Sequence, residues 1–273
     1  MNFIYNLSKK LKYLLLSLLT AGLLVWFSFS SGLIRAILPI ITILIALLGT
    51  LFVQYTSFKV NVKSIFFNTF INIIALPVIL ILGTVLTLIY FPNLSVVVRV
   101  VAIFGVGVLM YITQLVDNVF LVVYERGEAI PLYRVATTWS QILMVVLAIP
   151  FYAGIFKVPL NSITQSIVVA TVAGLFTLFM VWIMLMDPEV TDPSREERLI
   201  ESGMVFFAVF TVSIGTSFIP TESFLRSLLV SAVLMASLGY IQAHHKNKIN
   251  KKLILEYFLI IIVFLIFVLF IRQ

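Results

Sequence analysis

Asp117 is the only aspartate set inside a long apolar run of this sequence, and polar side chains accompany it. Tyr111, Gln114, Asp117 and Asn118 recur at the three- and four-residue intervals that share one face of a helix. A carboxylate flanked by amides is a place to bind an ion or a polar substrate. At 1.5 Å per residue, Asp117 and Asn118 lie ~10 Å inside a helix end near Tyr124. A charge at that depth in a membrane costs ~2.5–3.5 kcal/mol on insertion scales, so it should face the bundle or water.

Depth arithmetic supplies partners for it. Asn68 and Asn72 fall at a similar level of the preceding apolar segment, Thr137, Thr138, Ser140 and Gln141 in the following one, and Glu201 near the start of a later one. The expected binding residues are therefore Asp117, Asn118, Gln114, Asn68, Asn72, Gln141 and Glu201, gathered in one cytoplasm-facing polar pocket. A plainer account competes with this one. The segment carrying Asp117 is longer than a bilayer requires, so the carboxylate can sit hydrated at the interface. Amides and hydroxyls also join helices for ~0.6 kcal/mol each with no other role.

The conspicuous charges just downstream read as a turn. Gly127 is a natural left-handed residue after a helix, and Pro131 opens the next. Arg126 and Glu128 then complement the two helix dipoles. In the next loop of the same side, Ser194 and Glu197 have the spacing of a capping box.

Most catalytic chemistry is missing. There is no cysteine, which removes thiol catalysis and cysteine-bound metals. The two histidines, His244 and His245, are adjacent in a lysine-rich loop and make a poor metal site. Neither histidine lies at membrane depth, Asp117 has no second membrane aspartate, and no glycine-rich phosphate loop follows a strand. No cofactor and no metal are expected, and an enzyme is the minority reading.

The elements that must hold these residues follow from composition. The chain of 273 residues is 62% hydrophobic and 11% charged, with mean hydropathy +1.18. A soluble domain carries about 25% charged residues, and one core cannot hide the surplus. Nine apolar segments, about 13–30, 33–53, 65–90, 96–124, 132–156, 163–186, 198–219, 222–242 and 253–271, are each long enough for ~30 Å of hydrocarbon. Continuous apolarity makes them helices rather than barrel strands. With the N-terminus inside, thirteen lysines and arginines fall on the cytoplasmic side and five outside. The net charge of +7 is thus a topology signal, with no nucleic-acid partner implied. Residues 1–12 read as an interfacial amphipathic segment, with Phe3, Leu7 and Leu11 on one face. Segment 13–30 also has the form of a signal peptide, ending in Ser28-Phe29-Ser30.

An internal repeat is visible. PLNSITQSIVVATV from Pro159 and PTESFLRSLLVSAV from Pro220 align without gaps at a spacing of 61, with Gly154 and Gly215 matching upstream. Each is the outer turn of a hairpin, with Ser162 and Ser223 as N-caps of the returning helices. A weaker copy starts at Pro92.

The expectation is an all-α, polytopic transmembrane helical bundle of about nine spans. It forms four helical hairpins plus a C-terminal span in a plasma (inner) membrane, N-terminus cytoplasmic and C-terminus outside. After the interfacial segment, 13–273 is one transmembrane domain with tandem hairpin repeats at 132–186 and 198–242. Three functional classes follow in order: a transporter or permease-like protein for a small or amphipathic substrate, a non-catalytic scaffold or assembly subunit among other membrane subunits, and an enzyme acting on a lipid-linked substrate.

Overall fold

The computed structural model describes residues 8–58, 62–127, 130–190 and 193–270, and of residues 58 and 62–71 the backbone alone. Among the described residues there are nine helices and no strand: α1 Lys9–Phe29, α2 Gly32–Phe58, α3 Val62–Tyr90, α4 Val96–Arg126, α5 Leu132–Ile155, α6 Ser162–Met184, α7 Arg195–Ser217, α8 Ser223–His245 and α9 Lys251–Phe270. All nine are long and apolar enough to cross a membrane, the make-up of an integral multi-pass protein. Helix α1 begins at Lys9 and runs unbroken through the first apolar segment; Phe3, Leu7, Asn68 and Glu128 lie outside the residues whose side chains are described.

Caps set the helix ends. Gly127 closes α4 at φ 66° and donates its amide to Val123, because only a residue without Cβ adopts that turn cheaply. Ser194 and Glu197 form the reciprocal capping box of α7. The expected serine caps are corrected in two places. Asn161, not Ser162, caps α6, accepting from the Thr164 amide at 2.7 Å. At α8 the cap position is Glu222, whose side chain makes no capping bond. Ser95 does cap α4, through the Val98 amide.

Packing divides the helices into two closed sets. Helices α1 to α4 contact one another in a ring, α1 meeting both α2 and α4; α5 to α8 form a second ring, closed by α5 against α8. The rings join at a close seam between α3 and α5. There a Cβ on Gly83 would stand 2.9 Å from the Phe151 backbone nitrogen, and one on Gly154 would stand 2.5 Å from Leu86 Cβ. Small residues let membrane helices approach, where dispersion rather than water exclusion drives association. Gly215, the repeat partner of Gly154, has open space around it, so the two matched glycines do different work. Within the second ring, Ser202 donates to the Gly174 carbonyl at 3.0 Å and Ser213 to Ser166 Oγ at 2.9 Å, tying α7 to α6. Helix α6 is buried nearly all round. Helix α9 packs chiefly on α8 and buries only Val268, with its other described residues half-buried or exposed.

Candidate functional site

The short connections force successive helices to alternate. One end of the bundle therefore carries the start of α1 and the turns after α2, α4, α6 and α8. This basic end is where the structure places the candidate residues, but in three separate locations.

The first lies inside the α1–α4 ring. Tyr13 of α1 donates its hydroxyl proton to Asn118 Oδ1 at 2.9 Å, with Gln54 Oε1 of α2 at 3.3 Å. Gln54 Nε2 donates to Gln114 Oε1 at 3.1 Å, and Gln114 Nε2 donates to Thr50 Oγ1 at 2.9 Å. Gln114 is fully buried and Asp117 is 2% exposed. Gln114 and Asn118 thus belong to a chain of bonds linking three helices. Neither oxygen of Asp117 has a hydrogen-bond partner among the described residues. Asp117 lies on the face of Met110, Thr113 and Phe120, all fully buried, rather than on the lipid face. The hydrated-interface account of Asp117 fails for that reason. Lys12, also buried, donates to the Thr56 carbonyl at 3.4 Å nearby.

The second location is a cavity of about 520 Å³ between α7, α8 and α9. Glu201 lines it, and His245 Nε2 reaches Glu201 Oε1 at 2.8 Å and Oε2 at 3.0 Å. Opposite an ionised carboxylate, which only accepts, Nε2 is the donor. Both side chains are more than nine-tenths buried. The histidines are therefore not in a loop, as the sequence suggests, but in the last turn of α8, where His244 stacks on Tyr240 and lines the cavity. The remaining walls are mostly apolar, Ala208, Ala236 and Phe258 among them, with Ser237 and Tyr257 as further polar groups. Gln141 reaches toward this side too, near the Tyr257 hydroxyl. That hydroxyl occupies the space over Gly239 that a side chain would fill.

Ion pairs close this end of the bundle beside the cavity. Lys246 Nζ stands 2.8 Å from Asp187 Oδ2, and the Glu189 amide donates to Asp187 Oδ1 at 3.1 Å. Burial acts to raise the Asp187 pKa, but Lys246 and that amide outweigh it and hold it below its ordinary value. Glu189 in turn pairs with Arg134 at 3.0 Å and Lys248 at 3.5 Å.

Asn72 occupies the third location, a separate cavity with Tyr124 and Trp182. The single expected pocket is thus distributed: Asp117, Asn118 and Gln114 in the first ring, Glu201 and Gln141 toward α9, Asn72 between α3 and α7. Thr137, Thr138 and Ser140 donate to carbonyls of their own helix instead of converging on Asp117. Counting residues along a helix gives an expected depth, but it does not say which way each side chain points. Sequence reasoning missed Tyr13, Gln54, Thr50 and His245. The i, i+4 pair Thr50 and Gln54 was the available signal, two polar residues in an apolar span. Among the described residues no three His, Asp or Glu side chains gather as for a metal ion. Compared with family models, curated proteins and solved structures, the chain matches none.

Proposed function

We propose that the protein is permease-like and takes an amphipathic molecule into the cavity between α7, α8 and α9 from the cytoplasmic side of a plasma membrane. The cavity carries the reading: about 520 Å³ with largely apolar walls and a few polar groups, Glu201, His244, Tyr240, Ser237 and Tyr257. Pockets for small molecules have this size and this mixture of an apolar bed with a few placed polar groups. The acidic Glu201 among them favours a hydrogen-bond-donating, cationic head. The thirteen-to-five cation asymmetry supports a cytoplasmic basic end and an N-terminus on that side. In this reading Asp117 is the cation-binding group of the other ring. An enclosed carboxylate without a donor is costly, and a proton relieves that cost without needing room.

Proteoliposomes loaded against radiolabelled decylammonium test it. The wild-type chain should move the probe faster than empty vesicles, and Ala208→Trp, which fills the cavity, should not. Equal rates for both proteins would overturn the proposal. A scaffold reading draws on the outward surface of α9; it requires a stoichiometric membrane subunit that is lost when α9 is replaced by polyleucine.

A further inference from the structure

The cavity that holds Asn72 is not the amphipath cavity, and its lining has the opposite charge. It measures about 580 Å³ and lies between α3, α4, α6 and α7 at the basic end. Among the described residues its charged lining is Arg195 and Arg198. Both belong to the first turn of α7, three residues apart and so on one face. The α7 amides of that turn add positive potential in the same direction. The acidic residues of that turn do not line it. Glu197 is engaged in the capping box with Ser194, and Glu196 projects elsewhere. Arg198 Nε donates to the Pro193 carbonyl at 3.1 Å, which holds its guanidinium at the mouth.

Behind the arginines the walls turn aromatic and then aliphatic. The Tyr124 and Trp182 rings stand 6.4 Å apart, and Trp182 stacks on Phe179 at 6.0 Å. Tyr and Trp favour the headgroup level of a bilayer, where one end is wet and the other apolar. Leu178 and Leu199 continue the bed inward, with Asn72 as one further polar group. Along their helices Arg195, Tyr124 and Trp182 stand within about one turn of the basic end and Leu178 about a turn further in, so cations and amphipathic rings precede that part of the hydrocarbon bed. Phosphate, glycerol and acyl chain follow one another in the same order in a phospholipid lying along the bundle.

We infer that this cavity is a binding site for an anionic phospholipid of the basic-side leaflet. Arg195 and Arg198 hold the phosphate and its net negative headgroup, and an acyl chain lies along Leu178 and Leu199. A zwitterionic phospholipid offers the same phosphate and chains, but its ammonium cancels the charge that the two arginines select. The site is independent of the amphipath cavity, and it stands whether or not the protein transports anything.

The test uses the purified full chain in detergent, with native mass spectrometry and thermal melting against short-chain phosphatidylglycerol, phosphatidylcholine and inorganic phosphate. Wild-type protein should retain and be stabilised by phosphatidylglycerol over phosphatidylcholine. Each of Arg195→Gln and Arg198→Gln should weaken phosphatidylglycerol about fivefold, the worth of one basic side chain beside an anionic lipid. Arg134→Gln, which removes a charge outside the cavity, should retain the full preference. Leu178→Trp keeps both arginines and fills the chain bed, and should also lose the lipid. The inference is overturned if phosphatidylglycerol and phosphatidylcholine bind alike. It is equally overturned if the double arginine variant keeps the preference, or if inorganic phosphate stabilises the protein as well as the lipid does.

Discussion

Gly83→Ala tests the seam that joins the two rings. An added Cβ would lie 2.9 Å from the Phe151 nitrogen, 3.1 Å from its Cα and 3.2 Å from its Cβ. Ordinary contacts of this kind sit near 3.5–4.0 Å, so three overlaps of roughly half an ångström arise together. Two of these atoms are backbone and cannot rotate away, so α3 and α5 must separate along the seam. Overpacking of this sort costs about 1–3 kcal/mol. Alanine also raises helix propensity by about 1 kcal/mol over glycine, which would mask part of the loss. Gly105→Ala in α4 removes that ambiguity, because nothing lies within 4 Å of its added Cβ. The propensity gain is common to both variants, so their difference isolates the steric cost. Unfolding in mixed micelles, followed by tryptophan fluorescence, should place Gly83→Ala about 1–3 kcal/mol below Gly105→Ala. Gly154→Ala should behave like Gly83→Ala, whereas Gly215→Ala should behave like Gly105→Ala. Coincident unfolding midpoints for Gly83→Ala and Gly105→Ala would refute the close seam.

Further outcomes follow from the buried polar groups. Glu201→Leu strands the buried His245 without its acceptor and should cost about 1–3 kcal/mol, the usual result of leaving a buried donor unpaired; a thermal midpoint equal to wild type would contradict the pairing. Asp117→Asn should leave the fold as stable as wild type or more so, since it replaces an enclosed carboxyl group whose oxygens have no donor among the described residues, while abolishing decylammonium movement in proteoliposomes. Asp187 is held below its ordinary value of 3.8, so its contribution is fully present above that pH and is lost as pH falls through the lowered folded value. Asp187→Asn should therefore melt below wild type at pH 7, by about 1–2 kcal/mol of stability, and the two should converge in strong acid; a constant gap would refute the linkage. Gly239→Val should expel the Tyr257 ring from α8 and loosen the already exposed α8–α9 turn, read as faster protease cleavage there, with no new cleavage expected elsewhere.

Several features were legible in the amino-acid sequence alone. Residue hydropathy accounts for all nine helices, because a run of about 20 apolar residues has few alternatives in a bilayer and each backbone must satisfy its own hydrogen bonds. Gly127 and the Ser194–Glu197 box could be named as helix ends, because a cap depends on residues within four positions of one another. Asp117 could be singled out, since a lone charge in an oily segment is costly wherever it points.

What tertiary structure decided was direction and company. Asn72, Gln141, Glu201 and Asp117 share an expected level, which follows from counting residues along their segments. Their separation into three places depends on how each helix is rotated and which neighbours it meets. Those rotations are set by close approaches such as Gly83 on Phe151 and Tyr257 over Gly239, which no local pattern encodes. For the same reason His245 read as part of a basic loop, although the fold extends α8 by one turn and buries the ring on Glu201. In this chain apolar runs determined the number of helices, whereas steric fit between them determined which polar side chains meet.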